Sequence, residues 1–124
     1  MPTRGSATVL IVDEHEATRS LLRRMVESGW GWPVVGEATD GLEAVRAARE
    51  LRPDVVLAGG TVRHLRLAEE LVGRTTLLVG LTHSPGQRLG AACLPVPRTL
   101  PTGKIREAVS VELHRRGVLV TQGR

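Results

Sequence analysis

Short apolar runs rich in β-branched residues alternate with longer stretches whose apolar residues recur at helical spacing, and this alternation constrains the fold more than any other feature of the chain. Thr8 to Val12 is a continuous run of the kind expected for a strand covered on both faces of a parallel sheet. From Glu16 to Ser28 the residues Ala17, Leu21, Leu22, Met25 and Val26 recur as on one helix face, and Gly29 stands where that helix would stop. Pro33 opens a short strand through Val34 and Val35, and Asp40-x-x-Glu43 resembles a capping box opening a helix that runs to about Leu51, ahead of Pro53. Asp54 to Ala58 and Thr75 to Leu81 read as two further buried strands, with a helical stretch between them from Thr61 to Val72. Ser84-Pro85-Gly86 marks a loop, Gln87 to Ala92 leaves room for only a turn or two of helix, and Cys93 to Val96 is a short fifth strand. A last helix from about Thr102 to Arg115 carries Ile105, Ala108, Val109 and Leu113 on one face. Strand-helix alternation of this kind implies parallel strands joined by right-handed crossovers, with helices on both faces of the sheet.

At 124 residues the chain fits one domain, long enough to bury a modest core without disulfides or a structural metal. No apolar run approaches the ~20 residues of a membrane-spanning helix. Ala7 to Val12 is too short for a signal-peptide core and runs straight into Asp13 and Glu14, so a cytoplasmic protein is expected. The single cysteine, Cys93, has apolar neighbours and reads as a small buried hydrophobe. Lys and Arg total 17 against 13 Asp and Glu, a net charge of +4, and Lys104 is the only lysine. The arginines interleave with glutamates, as at Arg46, Arg49 and Glu50, which describes solvated helix faces rather than a stripe tracking phosphates. With no Phe or Tyr, and only Trp30 and Trp32, the chain lacks the aromatic platform used to bind single strands.

In an open parallel sheet the functional crevice lies beyond the carboxyl ends of the strands. The residues there are Asp13 and Glu14 after the first strand, Gly59 and Gly60 after the third, Thr82 and His83 after the fourth, and Pro97 after the fifth. Adjacent carboxylates at such an edge suit a hard cation such as Mg²⁺, completed by water or phosphate. His15, just before the first helix, reads as exposed or capping, and His83 is read with the same restraint. Gly59-Gly60-Thr61 reads as a plain turn, too short to identify a phosphate loop. These residues compose no recognised catalytic set, so no enzyme is expected.

Val9-Leu10-Ile11-Val12-Asp13-Glu14-His15, Val34-Val35-Gly36-Glu37-Ala38, Asp40-Gly41-x-Glu43-Ala44 and Arg52-Pro53-Asp54-Val55-Val56-Leu57 together resemble receiver domains of response regulators, over nearly the whole chain and nearest to the LuxR-type transcription regulators. The resemblance implies a CheY-like, flavodoxin-like α/β sandwich with a five-stranded parallel sheet, in signal transduction or transcriptional control. Residues 1–116 would form the domain. Residues 117–124 would be a tail or the start of a linker, because Arg116 to Val120 resembles the exit towards a helix-turn-helix domain. DNA contact would then require that absent domain, although a basic DNA-associated regulator remains the alternative reading and a small enzyme using the acidic pair a more distant one.

Receivers accept a phosphoryl group from a histidine kinase on an aspartate ending the third strand, with Mg²⁺ held by that aspartate and the acidic pair. The matching position here is Gly59, which can neither attack phosphorus nor bind metal, and the position matching the family's phosphate-contacting lysine is Pro97. Asp54 is no substitute, since it lies at the other end of the strand, ~16 Å away at about 3.3 Å per residue. Lys104 lies further along in the last helix and reads as solvated. Thr82 matches the switch Thr or Ser, and Asp13 and Glu14 match the acidic pair, with residual Mg²⁺ as the only cofactor to consider. The segments between Gly59, Thr82 and Pro97 are short for the family, so the third and fourth helix regions are expected to be shrunken and the usual dimer mode is not transferable. The expected output is independent of phosphorylation, through a protein partner, a homodimer or a small ligand, with no membrane involved.

Overall fold

The computed structural model describes residues 5–59, 67, 68, 70, 75–82, 93–118 and 120. Five strands form one parallel sheet in the order β2-β1-β3-β4-β5: β1 (Val9–Val12), β2 (Val34–Ala38), β3 (Val55–Ala58), β4 (Leu77–Thr82) and β5 (Cys93–Pro97). The three inner strands are buried at every residue, which is why they read as unbroken apolar runs. The edge strands differ. β2 is buried only at Val34 and Ala38 and carries Val35 as an extra, exposed residue between the pairs Val9–Val34 and Leu10–Gly36, and β5 tolerates Pro95 and Pro97 because an edge position leaves their missing N–H groups without cost.

Alternation along the strands divides the interior into two cores. Val9, Ile11, Val55, Leu57, Leu77 and Val79 face α1 (Glu16–Arg24) and the last helix, α3 (Thr102–Arg115), where Leu22, Val26, Ile105, Val109 and Leu113 meet them. Leu10, Val12, Val56, Ala58 and Leu78 face α2 (Gly41–Leu51), packing on Ala44, Val45 and Ala48, and on Leu67 and Ala68. Helices thus cover both faces, as the strand-helix alternation requires. Leu67, Ala68 and Glu70 are helical, whereas the remainder of the expected helix between Thr61 and Val72, the Ser84 loop and the Gln87 to Ala92 turn lie outside the described residues.

The first helix departs from expectation at its end. It does not stop at Gly29 but continues as a π-helical turn, Met25–Trp30, and Gly31 at φ 74° supplies the left-handed residue that ends it. The wider turn directs Trp30 to α3, where its indole N–H donates to the carbonyl of Thr102 at 3.0 Å. Trp32 lies buried beside it, ring centroids 5.3 Å apart and edge-on, with the Arg106 guanidinium 5.2 Å from the Trp32 ring centre. The turn therefore tethers the two helices on one face of the sheet. On α1 only Leu22, followed by Val26 in the π turn, is fully buried; Ala17 and Leu21 of the expected apolar face are exposed. At α2 the Asp40 carboxylate accepts from the Glu43 amide at 2.8 Å, but Glu43 returns its carboxylate to the Thr39 hydroxyl, making only half of the capping box.

Leu113 and Val111 are two residues apart on α3, the first fully buried and the second 54% exposed. Leu113→Ala is expected to cost about 3 kcal/mol of stability through the cavity it leaves, and Val111→Ala less than about 0.5 kcal/mol, when both are followed by urea denaturation.

Candidate functional site

Parallel register brings the carboxyl ends of the inner strands side by side. Val12 ends β1 between Ala38 and Ala58, so the next residues along, Asp13 and Gly59, meet at the sheet edge. Backbone bonds pin both: the Gly59 amide donates to Val12 O at 2.8 Å and the Asp13 amide to Ala38 O at 3.1 Å. Thr82 ends β4, 3% exposed, paired in register with Pro97 on β5.

Asp13 is 2% exposed, a buried carboxylate at the edge of an apolar sheet. Its Oδ1 accepts from the His15 amide at 2.8 Å and lies 3.3 Å from His15 Nδ1. Its Oδ2 lies directly over Gly59. A Cβ built on Gly59 would overlap that oxygen outright and lie 2.8 Å from Asp13 Cγ, so the volume that any side chain at 59 must cross is filled by the Asp13 carboxylate. Glu14, the next residue, is exposed. The strand ends therefore bring Asp13 to Gly59 and Thr82 to Pro97, while Glu14 stands apart in solvent. His15 is exposed and precedes α1 without a side-chain cap, its own amide donating to Asp13 Oδ1 in the turn before the helix. His83, Gly60 and Thr61 lie outside the described residues.

A charged network beside this edge was not legible in the sequence. Arg19 on α1 donates through Nη1 to the backbone carbonyl of Asp13 at 2.9 Å and through Nε to Glu37 on β2 at 3.1 Å. Arg23, one turn on, bonds the second Glu37 oxygen and reaches Glu27 at 3.1 Å. The bond to Glu37 is the main cause holding the Arg23 guanidinium above its ordinary pKa. This fork ties the start of α1 to the β1–β2 edge and so fixes the turn from which Asp13 projects. Asp54 occupies the opposite edge, as its position in the strand requires, where Oδ2 accepts from the Thr8 amide at 2.8 Å and the Thr8 hydroxyl at 3.1 Å. Lys104 is solvated, 3.4 Å from Glu107.

These residues do not fit Mg²⁺. The cation needs several oxygen ligands in near-octahedral geometry, whereas one Asp13 oxygen is committed to the His15 amide and the other is buried over Gly59. Among the described residues no three Asp, Glu, His or Cys side chains come together as a metal set.

No protein-family model matches the chain. It is 49% identical over 49 residues to the response regulator GacA of Pseudomonas syringae pv. syringae, a match covering 40% of this chain and 23% of that protein. It is 45% identical over 56 residues to protein-glutamate methylesterase/protein-glutamine glutaminase 3 of Paramagnetospirillum magneticum, covering 45% of this chain and 16% of the other. The chain thus spans less than a quarter of the length of these curated relatives. Among solved structures, a LuxR-family two-component response regulator from Aurantimonas sp. SI85-9A1 superposes with a TM-score of 0.68 at 25% identity, over 95% of this chain and 91% of that one. The chain is thus similar to response-regulator receiver domains, near the LuxR type. It shares with those receivers the CheY-like α/β sandwich. No described helix is long and apolar enough to cross a membrane.

The chain's one thiol belongs to its core. Burial pushes the Cys93 thiol up to about 11 from 9.0, partly offset by a hydrogen bond with the Gly80 backbone. The folded state therefore holds this proton more tightly than the unfolded chain, so the stabilisation is complete below about pH 9 and falls as the pH rises towards 11. Native protein at pH 8 should alkylate with iodoacetamide at least tenfold more slowly than the urea-unfolded chain, read by mass spectrometry.

Proposed function

We propose that this receiver transmits its signal without aspartyl phosphorylation. The observation that carries the reading is the pair at the β1 and β3 ends: glycine at the position that matches the phosphate-accepting aspartate, with the Asp13 carboxylate lying where a side chain would emerge. Three further features support it. Pro97, exposed at the end of β5, offers no charge at the position matching the family's lysine. Asp54 is engaged at the far edge of the sheet. Thr82, at the switch position, is buried and paired in register with the uncharged Pro97.

On this reading the domain is a non-enzymatic, cytoplasmic docking unit. Its output is contact with a protein partner or a second copy, and DNA is reached only through a separate helix-turn-helix domain. The receiver unit is assigned to residues 1–116, with 117–124 as its tail. The start of that tail lies against the unit: Val118 and Val120 pack on the α1–α3 core, and the Val120 amide lies 3.3 Å from His114 Nε2.

Intact-mass analysis after incubation with Mg²⁺ and acetyl phosphate tests the proposal. The expected spectrum is that of the untreated chain, with circular dichroism confirming that the protein is folded. A stable or hydroxylamine-labile phosphoryl adduct would overturn the reading and direct mutagenesis first to Asp13 and Glu14.

A further inference from the structure

The family to which this domain is similar holds Mg²⁺ at the edge where Asp13 lies, yet the Asp13 carboxylate is committed elsewhere. We infer that Asp13 is the structural plug of a magnesium-free site, and that Asp13 and Gly59 are energetically coupled as a pair. Two observations converge. Oδ1 is spent on the His15 amide, in the turn that launches α1, while the Asp13 carbonyl receives Arg19; both ends of the residue thereby hold that turn. Oδ2 occupies the volume vacated by the missing side chain at 59, with Asp13 2% exposed. A buried carboxylate is tolerated only where hydrogen bonds replace water, and the His15 amide supplies one of these.

The pairing has a directional consequence. A methyl group at 59 cannot coexist with the present Asp13 rotamer, and Asp13 can move only by giving up its bond to the turn. Truncating Asp13 loses that bond but opens the space. The two substitutions must therefore be coupled, with the double variant less damaged than the two single effects combined. This stands on packing alone, so it can hold or fail separately from the phosphorylation reading.

The test is a double-mutant cycle of Gly59→Ala, Asp13→Ala and the double variant, followed by urea denaturation of the full chain without metal or phosphodonor. Gly59→Ala is expected to shift the folding equilibrium at least tenfold towards the unfolded chain, and the same change made in Asp13→Ala to shift it less than threefold. Thermal melting of the parent with and without 10 mM MgCl₂, at matched ionic strength, supplies the second readout and needs no variant to fold. The expected change in Tm is under about 1 °C, since a cation that does not bind the native state cannot stabilise it. Additive effects around the cycle would overturn the plug. A saturable rise of several degrees with Mg²⁺ would overturn the metal-free assignment, even if no phosphoryl adduct ever forms.

Discussion

The contact between the Asp13 carboxylate and the bare backbone of Gly59 is the constraint on which the rest of this domain's edge depends. It exists because parallel register sets Val12 beside Ala58 and so delivers the next residue of each strand to the same place. It is stable because the sheet beneath it is sealed on both faces, by α1 and α3 on one side and by α2 on the other. Within that sealed environment a carboxylate must find donors: the His15 amide supplies one, while Arg19 holds the turn through the Asp13 backbone carbonyl. The apolar core and the polar edge are thus one arrangement, since the core that excludes water from Asp13 also dictates what may stand opposite it.

Much of the fold was legible because its signals are local. Three unbroken apolar runs marked β1, β3 and β4, helical spacing marked α3 to the residue, and Asp40-x-x-Glu43 marked the start of α2. Where local signals compete, the reading slipped. Gly29 and Gly31 flank Trp30, and only the backbone decides that Gly31 is the left-handed residue; the π turn that carries Trp30 to α3 leaves no mark in the spacing of apolar residues. The strand ends also moved, β2 running on to Ala38 and β5 to Pro97, because ladder bonds to an inner neighbour sustain an edge strand past residues of low strand propensity.

At the site, the chain order was enough to place Asp13, Gly59, Thr82 and Pro97 along one edge, since the ends of parallel strands must lie together. It was not enough to show that Asp13 turns inward and Glu14 outward, although the two are adjacent and chemically alike. Adjacent side chains of an extended segment point opposite ways, and which of the two lies over Gly59 appears only when β1 and β3 are paired. The Arg19, Arg23 and Glu37 fork was hidden for the same reason: each residue alone resembles a solvated charge, and their convergence needs the α1–β2 geometry.

The most direct test of this account is the ¹H–¹⁵N correlation spectrum of the labelled chain, recorded while Mg²⁺ and beryllofluoride, a tight mimic of a phosphorylated carboxylate, are added together. A site plugged by Asp13 and lacking an acceptor predicts unchanged amide positions for Asp13, His15, Gly59 and Thr82 throughout the titration. Saturable shifts centred on those four amides would show that the edge still assembles an acceptor and a cation, and would contradict the account at its root.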